Sequence, residues 1–319
     1  KQFSGIGEMA LNLYPGEVVR KIHLETSGKR FAYAEEHRHP FEQMQVGAVF
    51  TLKKPEPKSR VKNTIGYSTI YASDIEEILN NRNDADHKFY HRLSLNHDHS
   101  KKSINPYSIG AHLEYGGNFL KTWLEACYEY SYYMNEGLNI RLFGGTFLYR
   151  ERDLPWPYAF HLSGSNGFND YTFEKTYLGR FENPMDENDN QLLAQQFYPE
   201  QGGFALYSPL GISRDWLLAV NITSSLPLIK DIPVEAYANF GTFGKTMAIS
   251  PGISNNSWAA ETGVKFSFMN LLDIYFPIVA SNNLEKASDL VNTRYGEKIR
   301  FHLKFSLFKP SRILDQFDF

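Results

Sequence analysis

Histidines are the first residues in this 319-residue sequence that could do chemistry, and six of its 10 fall in close pairs: His37 with His39, His87 with His91, and His97 with His99. An imidazole nitrogen is a good metal ligand, but a site needs three or four donors converging from ordered backbone. No H-E-x-x-H is present, so the helical zinc motif of metallopeptidases is absent from this sequence. His87 and His91 stand where a loop passes into a strand, and His97 and His99 flank Asp98 at a strand edge, so all are expected to be solvated rather than metal-bound. The single cysteine, Cys127, excludes an intrachain disulfide and a cysteine-based metal site, and reads as one buried thiol. The acidic run ENPMDENDN at 182–190 offers carboxylates for Ca²⁺ but lacks the EF-hand spacing and its glycine; a solvated loop is expected. SGSNG at 163–167 is glycine-rich without lying between a strand and a helix, and no nucleophile elbow, phosphate loop or nucleotide fingerprint occurs. No catalytic residue, metal ligand or cofactor site is therefore assigned to these residues.

The elements that must position any function are strands. Apolar and polar residues alternate with a period of two over long runs. In 107–115, Tyr107, Ile109, Ala111, Leu113 and Tyr115 oppose Ser108, Gly110, His112 and Glu114. In 298–307, Ile299, Phe301, Leu303, Phe305 and Leu307 oppose Arg300, His302, Lys304 and Ser306. About 14 such runs are read, near 3–14, 18–34, 41–53, 60–73, 88–98, 106–115, 118–133, 137–150, 157–164, 214–226, 233–241, 258–268, 271–279 and 298–308. The segment 74–82 reads as one or two helical turns in a connection.

Strand length separates the classes. Many runs reach about 10–14 residues, where the usual globular strand has about 5–6 and a tilted membrane-spanning strand about 9–11. Aromatics make up 15% of the chain. They collect near strand ends, at Tyr14, Phe31, Tyr33, Tyr71, Phe89, Tyr107, Tyr115, Tyr132, Tyr133, Tyr149 and Tyr158, as an interfacial girdle would. The polar face carries Lys21, His23, Glu25, Arg60, Lys62, Arg92, His112, Glu114, Lys121, Glu125, Glu129, Arg141, His161, Glu235, Glu261, Lys265, Arg300, His302 and Lys304, both signs interspersed. A wet or charge-paired barrel lumen tolerates these; a soluble core, the rival reading, does not. No apolar run is long enough for a membrane helix. The hydrophobic content of 42% argues against disorder. A net charge of −3 gives no sign of nucleic-acid binding.

The expected fold is an all-β transmembrane antiparallel barrel over 1–308, with a periplasmic tail at 309–319. Long connections at 165–213, 242–257 and 280–297 are expected outside the cell; short turns at Gly116-Gly117, Met269-Asn270 and Pro227–Pro233 are expected in the periplasm. The 74–87 connection fits poorly, being long on the short-turn side. The opening at Lys1 reads as the middle of a structure, as in a processed product or a fragment.

The runs GGFALYSPLGISRDWLLAVNITSSLPL (202–228), PVEAYANFGTF (233–243), WAAETGVKFSFMNLLDIYFPIV (258–279) and EKIRFHLKFSL (297–307) resemble the last five strands of the BamA/TamA superfamily of outer-membrane barrels. SGKRFAYAEE (27–36), INPYSIGAHLEYGGNFL (104–120), GLNIRLFGGTFLY (137–149) and FHLSGSNGFNDYTFEKTYLGRFEN (160–183) look like the C-terminal barrels, of surface-antigen type, of Bacteroidetes proteins that carry an N-terminal gluzincin aminopeptidase-like domain. The resemblance implies about 16 strands in the complete protein, with N-terminal strands missing here. It implies a long loop that folds back into the lumen and docks there. Gly179, Arg180 and Phe181 match the loop motif with Gly and Arg exchanged. Tyr237, Asn239 and Glu261 are the docking wall, with Asn239 in place of an acidic residue. It further implies that Ile299, Phe301, Leu303, Phe305 and Leu307 form the signal strand read by the outer-membrane assembly machinery.

The expected function is an integral outer-membrane barrel that anchors, and passes a segment of, a peptidase-like domain outside this chain. The alternatives are a BamA-type insertase or translocase and a diffusion porin. Expected partners are the lipid bilayer with its lipopolysaccharide, the assembly machinery, and other outer-membrane or periplasmic subunits, with no nucleic acid. Any zinc would belong to the missing domain.

Overall fold

The computed structural model describes residues 5–14, 16–31, 41–54, 60–80, 86–99, 105–133, 136–180, 191–226, 234–247, 257–268, 271–292 and 294–304. Among them the chain is all-β and antiparallel, as expected. Its strands are β1 (Gly5–Leu13), β2 (Val19–Phe31), β3 (Phe41–Leu52), β4 (Lys62–Ser73), β5 (His87–Asp98), β6 (Tyr107–Tyr115), β7 (Phe119–Tyr133), β8 (Glu136–Arg150), β9 (Trp216–Ser225), β10 (Val234–Phe243), β11 (Trp258–Phe268), β12 (Leu272–Ala280) and β13 (Arg300–Leu303). They hydrogen-bond in chain order from β1 to β13. Four short helices sit in connections: α1 (Ile75–Leu79), α2 (Gln191–Ala194), α3 (Asn282–Asp289) and α4 (Tyr295–Lys298). The helical turn read at 74–82 is α1, started by Asp74, whose side chain accepts the Glu76 N–H at 3.0 Å.

One expected strand does not form. Residues 157–164 make a 3-10 turn at Trp156–Tyr158 and then isolated bridges, Phe160 with Ser213 and Ser163 with Phe204. The alternation there misleads because the segment is buried on every side, so no solvent face distinguishes its odd from its even residues. The connection between β8 and β9 is therefore 151–215 rather than 165–213. At the turn Gly116-Gly117, Gly117 takes φ +81°, which favours glycine.

Contacts divide the chain into two compact units, Lys1–Ala126 with Phe147–Tyr158 and Asp170–Glu174, and Cys127–Thr146 with Ala159–Asn169 and Lys175–Phe319. Each shows the same polarity. In the first, Met44, Val46, Phe89, Leu93, Leu95, Ile109 and Leu124 are exposed, while Gln43, Glu114 and Lys121 are buried. In the second, Leu142, Leu218, Phe240, Trp258 and Ile278 are exposed, while Asn239, Glu261, Asp273 and Arg300 are buried. Along β11 the two rows interleave: Trp258 is 48% exposed and Glu261 3%. Several expected girdle residues are exposed, among them Tyr14, Phe89, Tyr115, Tyr132 and Tyr149; Tyr158 is instead fully buried.

Within each unit the polar face is covered by described parts of the 151–215 connection, and that unit's core lies between them. In the first unit Phe41 packs on Phe173 at 5.3 Å, and Tyr158 packs on Tyr171 at 5.0 Å and Phe119 at 5.6 Å. In the second, Phe197, Ala205, Tyr237 and Tyr275 cluster. Glycines on the covered face let the connection approach. A Cβ on Gly241 of β10 would lie 2.4 Å from Leu162, and one on Gly145 of β8 would lie 2.6 Å from the Phe160 ring. Replacing Gly241 by Val is therefore expected to lift the connection off β10. Limited proteolysis between 196 and 213 should accelerate while the strands stay folded; an unchanged cleavage pattern would show that the close approach is not needed.

Candidate functional site

The polar residues of β8 to β11 form one continuous rung. Arg141, Asn221, Asn239 and Glu261 stand directly opposite one another across successive strand pairs. An Arg141 Nη donates to Asn221 Oδ1 at 2.8 Å, Asn221 Nδ2 to Asn239 Oδ1 at 3.0 Å, and Asn239 Nδ2 to Glu261 Oε1 at 2.7 Å. Every amide therefore both accepts and donates along the rung. The connection is strung along it. Arg141 donates to the Gln201 carbonyl at 2.8 Å and Asn221 to the Gly202 carbonyl at 2.9 Å. The backbone N–H groups of Ala205 and Leu206 donate to the two oxygens of Glu261 at 2.6 and 2.9 Å. Gly203, at φ +68°, makes the bend between these contacts. Carboxylate and backbone amide form a charge-assisted pair, about twice as strong as a neutral one.

A second anchor belongs to the first unit. Arg92 of β5 opposes Glu114 of β6 and donates to it at 2.8 and 2.6 Å. The same guanidinium donates to both oxygens of Glu174 in the connection, at 2.8 and 2.7 Å. Lys29 of β2 donates to the Glu174 carbonyl at 2.6 Å. Tyr171 donates its hydroxyl to Glu114 and its ring faces the Lys121 ammonium at 4.7 Å. Burial and the Glu114 charge push the Tyr171 phenol above its ordinary range, so it stays a protonated donor. Tyr158 donates to Asp74 at 2.8 Å, and Lys88 pairs with Asp74 at 2.7 Å, tying the start of α1 to the connection.

The residues singled out from sequence are distributed as follows. Tyr237, Asn239 and Glu261 share the covered face of β10 and β11, and the connection reaches them through 201–206. Arg180 is buried, as an anchored arginine would be, but its guanidinium stacks on Tyr177 at 4.8 Å and donates to the Lys175 carbonyl. Gly179 lies beside it, and Phe181 is outside the described residues. Ile299 precedes β13, and Phe301 and Leu303 lie on it; Phe305 and Leu307 are outside the described residues. The edge of β13 is occupied: Phe301 N–H donates to the Gln195 carbonyl at 3.2 Å and its carbonyl accepts the Phe197 N–H at 2.9 Å. Buried Gln196 braces this segment, donating to the Thr176 carbonyl at 2.8 Å and accepting from Leu178 N–H at 2.7 Å.

His87 and His91 take aromatic neighbours, His87 stacking on Tyr71 at 4.7 Å and His91 accepting or donating with Tyr67 at 3.0 Å. No group of three or more metal-ligating side chains occurs among the described residues. Cys127 is exposed rather than buried. The run 182–190 lies outside the described residues. Asn221, the central link of the rung, was missed by sequence reasoning; its one signal is a lone amide in the apolar run WLLAVNITSS. The arrangement holds a loop against a sheet, and its chemistry is that of hydrogen-bonded anchorage.

No family profile matches the chain, and no curated protein does. Among solved structures the chain is similar to BamA from Haemophilus ducreyi lacking POTRA domains 1–3, with 11% identity and a TM-score of 0.46, over 88% of this chain and 60% of that one. It is also similar to CdiB from Acinetobacter baumannii, with 10% identity and a TM-score of 0.37, over 82% of this chain and 44% of that one. The chain thus spans less than two thirds of either.

Glu261→Gln replaces an acceptor oxygen by a donor that must face a backbone N–H. The expected cost is about 1–3 kcal/mol, read as earlier unfolding in urea together with faster cleavage at 201–206. Arg180→Ala is expected to loosen 175–180 and leave 201–206 protected. Equal exposure of both segments in both variants would show one undivided anchor.

Proposed function

We propose that this chain is the greater part of an outer-membrane β-barrel of the BamA/TamA type, with the 151–215 connection folded onto its polar face as a plug. One observation carries the reading: the long strands expose their apolar rows and bury their charged ones. Water as the outer solvent would leave the exposed rows of both units unsatisfied, whereas hydrocarbon satisfies them. In hydrocarbon every backbone polar group needs an internal partner, which antiparallel ladders supply and which requires the sheet to close with the strands that complete it. No helix among the described residues is long and apolar enough to cross a membrane, so strands are the means of crossing available to them.

The covered polar face favours a barrel that anchors over a diffusion porin, since a porin keeps its polar lining wet. Tyr158, Tyr171 and Glu174 of the connection and its segment 201–206 are held by charge-assisted bonds and an ion pair. The cargo proposed is a gluzincin peptidase-like domain outside these residues, on the strength of the runs 27–36, 104–120, 137–149 and 160–183. Determining the mass and sequence of the native polypeptide tests this part: a further domain with H-E-x-x-H is expected, and a native chain without one removes the peptidase.

The barrel itself is tested from its outer face. Leu142→Arg with Phe240→Arg places two guanidinium groups where hydrocarbon is expected, at about 2–4 kcal/mol each near the bilayer midplane. The double variant should fail to insert into lipid vesicles and should lose heat-modifiable gel migration. Normal insertion, or steady large conductance of the unaltered protein in planar bilayers, would count against the lipid-facing wall and the plug respectively.

A further inference from the structure

Within the first unit, β5 runs further than its neighbour β6. Their ladder ends at His91 opposite Tyr115, and β5 continues back to His87 while the chain after Tyr115 turns at Gly116-Gly117. Register tells which backbone groups this leaves over. His99 N–H donates to the Tyr107 carbonyl at 2.8 Å, one step beyond the paired residues Asp98 and Ser108. Bonded and non-bonded positions alternate along an antiparallel pair. The odd residues of β5 down to His91 therefore bond to β6. Its even residues bond to β4, and the Asp86 carbonyl just before β5 keeps the same parity, accepting the Asp74 N–H at 2.7 Å. Phe89 is the next odd residue. Its N–H and C=O point to where β6 would continue, and no described residue bonds to either.

A notch of about 520 Å³ opens at this edge, lined by Lys88, Phe89, Tyr115, Gly117, Asn118 and Glu151. That volume suits a ligand of several side chains. The rings of Phe89 and Tyr115 are exposed on it. Its charges do not balance. Lys88 spends its ammonium on Asp74 at 2.7 Å and on the Tyr158 hydroxyl at 3.3 Å. His87 and His91, also on the lining, are engaged with Ser73 at 3.4 Å and Tyr67 at 3.0 Å. The Glu151 N–H donates to the Asn118 carbonyl at 2.9 Å, but its carboxylate has no partner among the described residues.

An open strand edge is a template for one more strand. An extended segment bound there gains affinity from main-chain hydrogen bonds and selectivity from its side chains. We infer that the notch takes an extended segment of a partner polypeptide, added antiparallel to β5 at Phe89, with an apolar side chain beside Phe89 and Tyr115 and a basic one facing Glu151. The unbalanced carboxylate selects a basic segment over an acidic one. The inference rests on this edge and not on the lipid-facing wall.

Fluorescence anisotropy tests it, with the full chain in detergent micelles and the labelled pentapeptide acetyl-Thr-Lys-Val-Lys-Thr-amide as the probe. Saturable binding is expected, weakened at least about fivefold by Glu151→Lys. Methylating the nitrogen of the central valine removes its donor to the Phe89 carbonyl and should abolish binding. Phe89→Pro removes an N–H that β4 does not use and should abolish it too. Absence of saturable binding overturns the proposal. So does equal binding of the methylated peptide, which means attraction of charge only. A dimer of the unaltered chain that Phe89→Pro dissociates also overturns it, since the occupant is then a second copy. Should Phe89→Pro not fold, the two peptides on the unaltered chain still decide.

Discussion

A dry carboxylate must be given donors, and in this molecule that requirement fixes where the long connection goes. Glu261 has lost water but keeps three partners, two backbone amides and the Asn239 side chain. The two amides belong to consecutive residues, so the backbone of the connection is placed to within a hydrogen-bond length at Ala205 and Leu206. Removing water from the polar face would be prohibitive if the covering segment were apolar. The segment covers the face with backbone N–H and C=O groups, and Arg141, Asn221 and Glu261 each find one, while Asn239 bonds to its neighbours on the rung. The Arg92, Glu114 and Glu174 group meets the same demand in the first unit with ion pairs.

Polarity and packing follow from this arrangement. A sheet that keeps its charges inside must keep them hydrated or paired, and pairing here is achieved by bringing chain close to sheet. Close approach needs room, which explains glycines at Gly145 and Gly241 in strands that otherwise favour bulky residues. The aromatic rings of Phe160, Phe204 and Tyr171 fill the space between. The same strands turn their bulky apolar side chains outward, where packing density is set by the surrounding solvent and not by the chain.

Strands with one covered face were legible in the sequence because their alternation records which side meets which environment. Segments 107–115 and 258–268 were placed within a residue. Alternation failed at 157–164, where all sides are buried and the pattern has nothing to report. The anchors were half legible. Arg141, Glu114 and Glu261 could be put on the polar face from parity alone. Their partnerships could not, because Arg141 and Asn221 are 80 positions apart, and Asn239 and Glu261 are 22 apart. Register decides such pairs, and register is a property of the assembled ladder. Arg180 was singled out through its motif, and its ring partner, Tyr177, is set by the local course of the loop.

Phe301 has a consequence for how the chain meets other strands. A backbone amide and carbonyl can each serve one ladder at a time, and those of Phe301 are already committed to Gln195 and Phe197. Any strand that pairs at that edge, whether from this polypeptide or another, competes with Gln195–Phe197 for the same two groups. Gln196, between them, also holds Thr176 and Leu178, so withdrawal of three residues would be felt along the loop as far as Arg180. Vacancy of the edge and position of the loop are thus a single thermodynamic variable, and whatever shifts one must shift the other by an equal free energy.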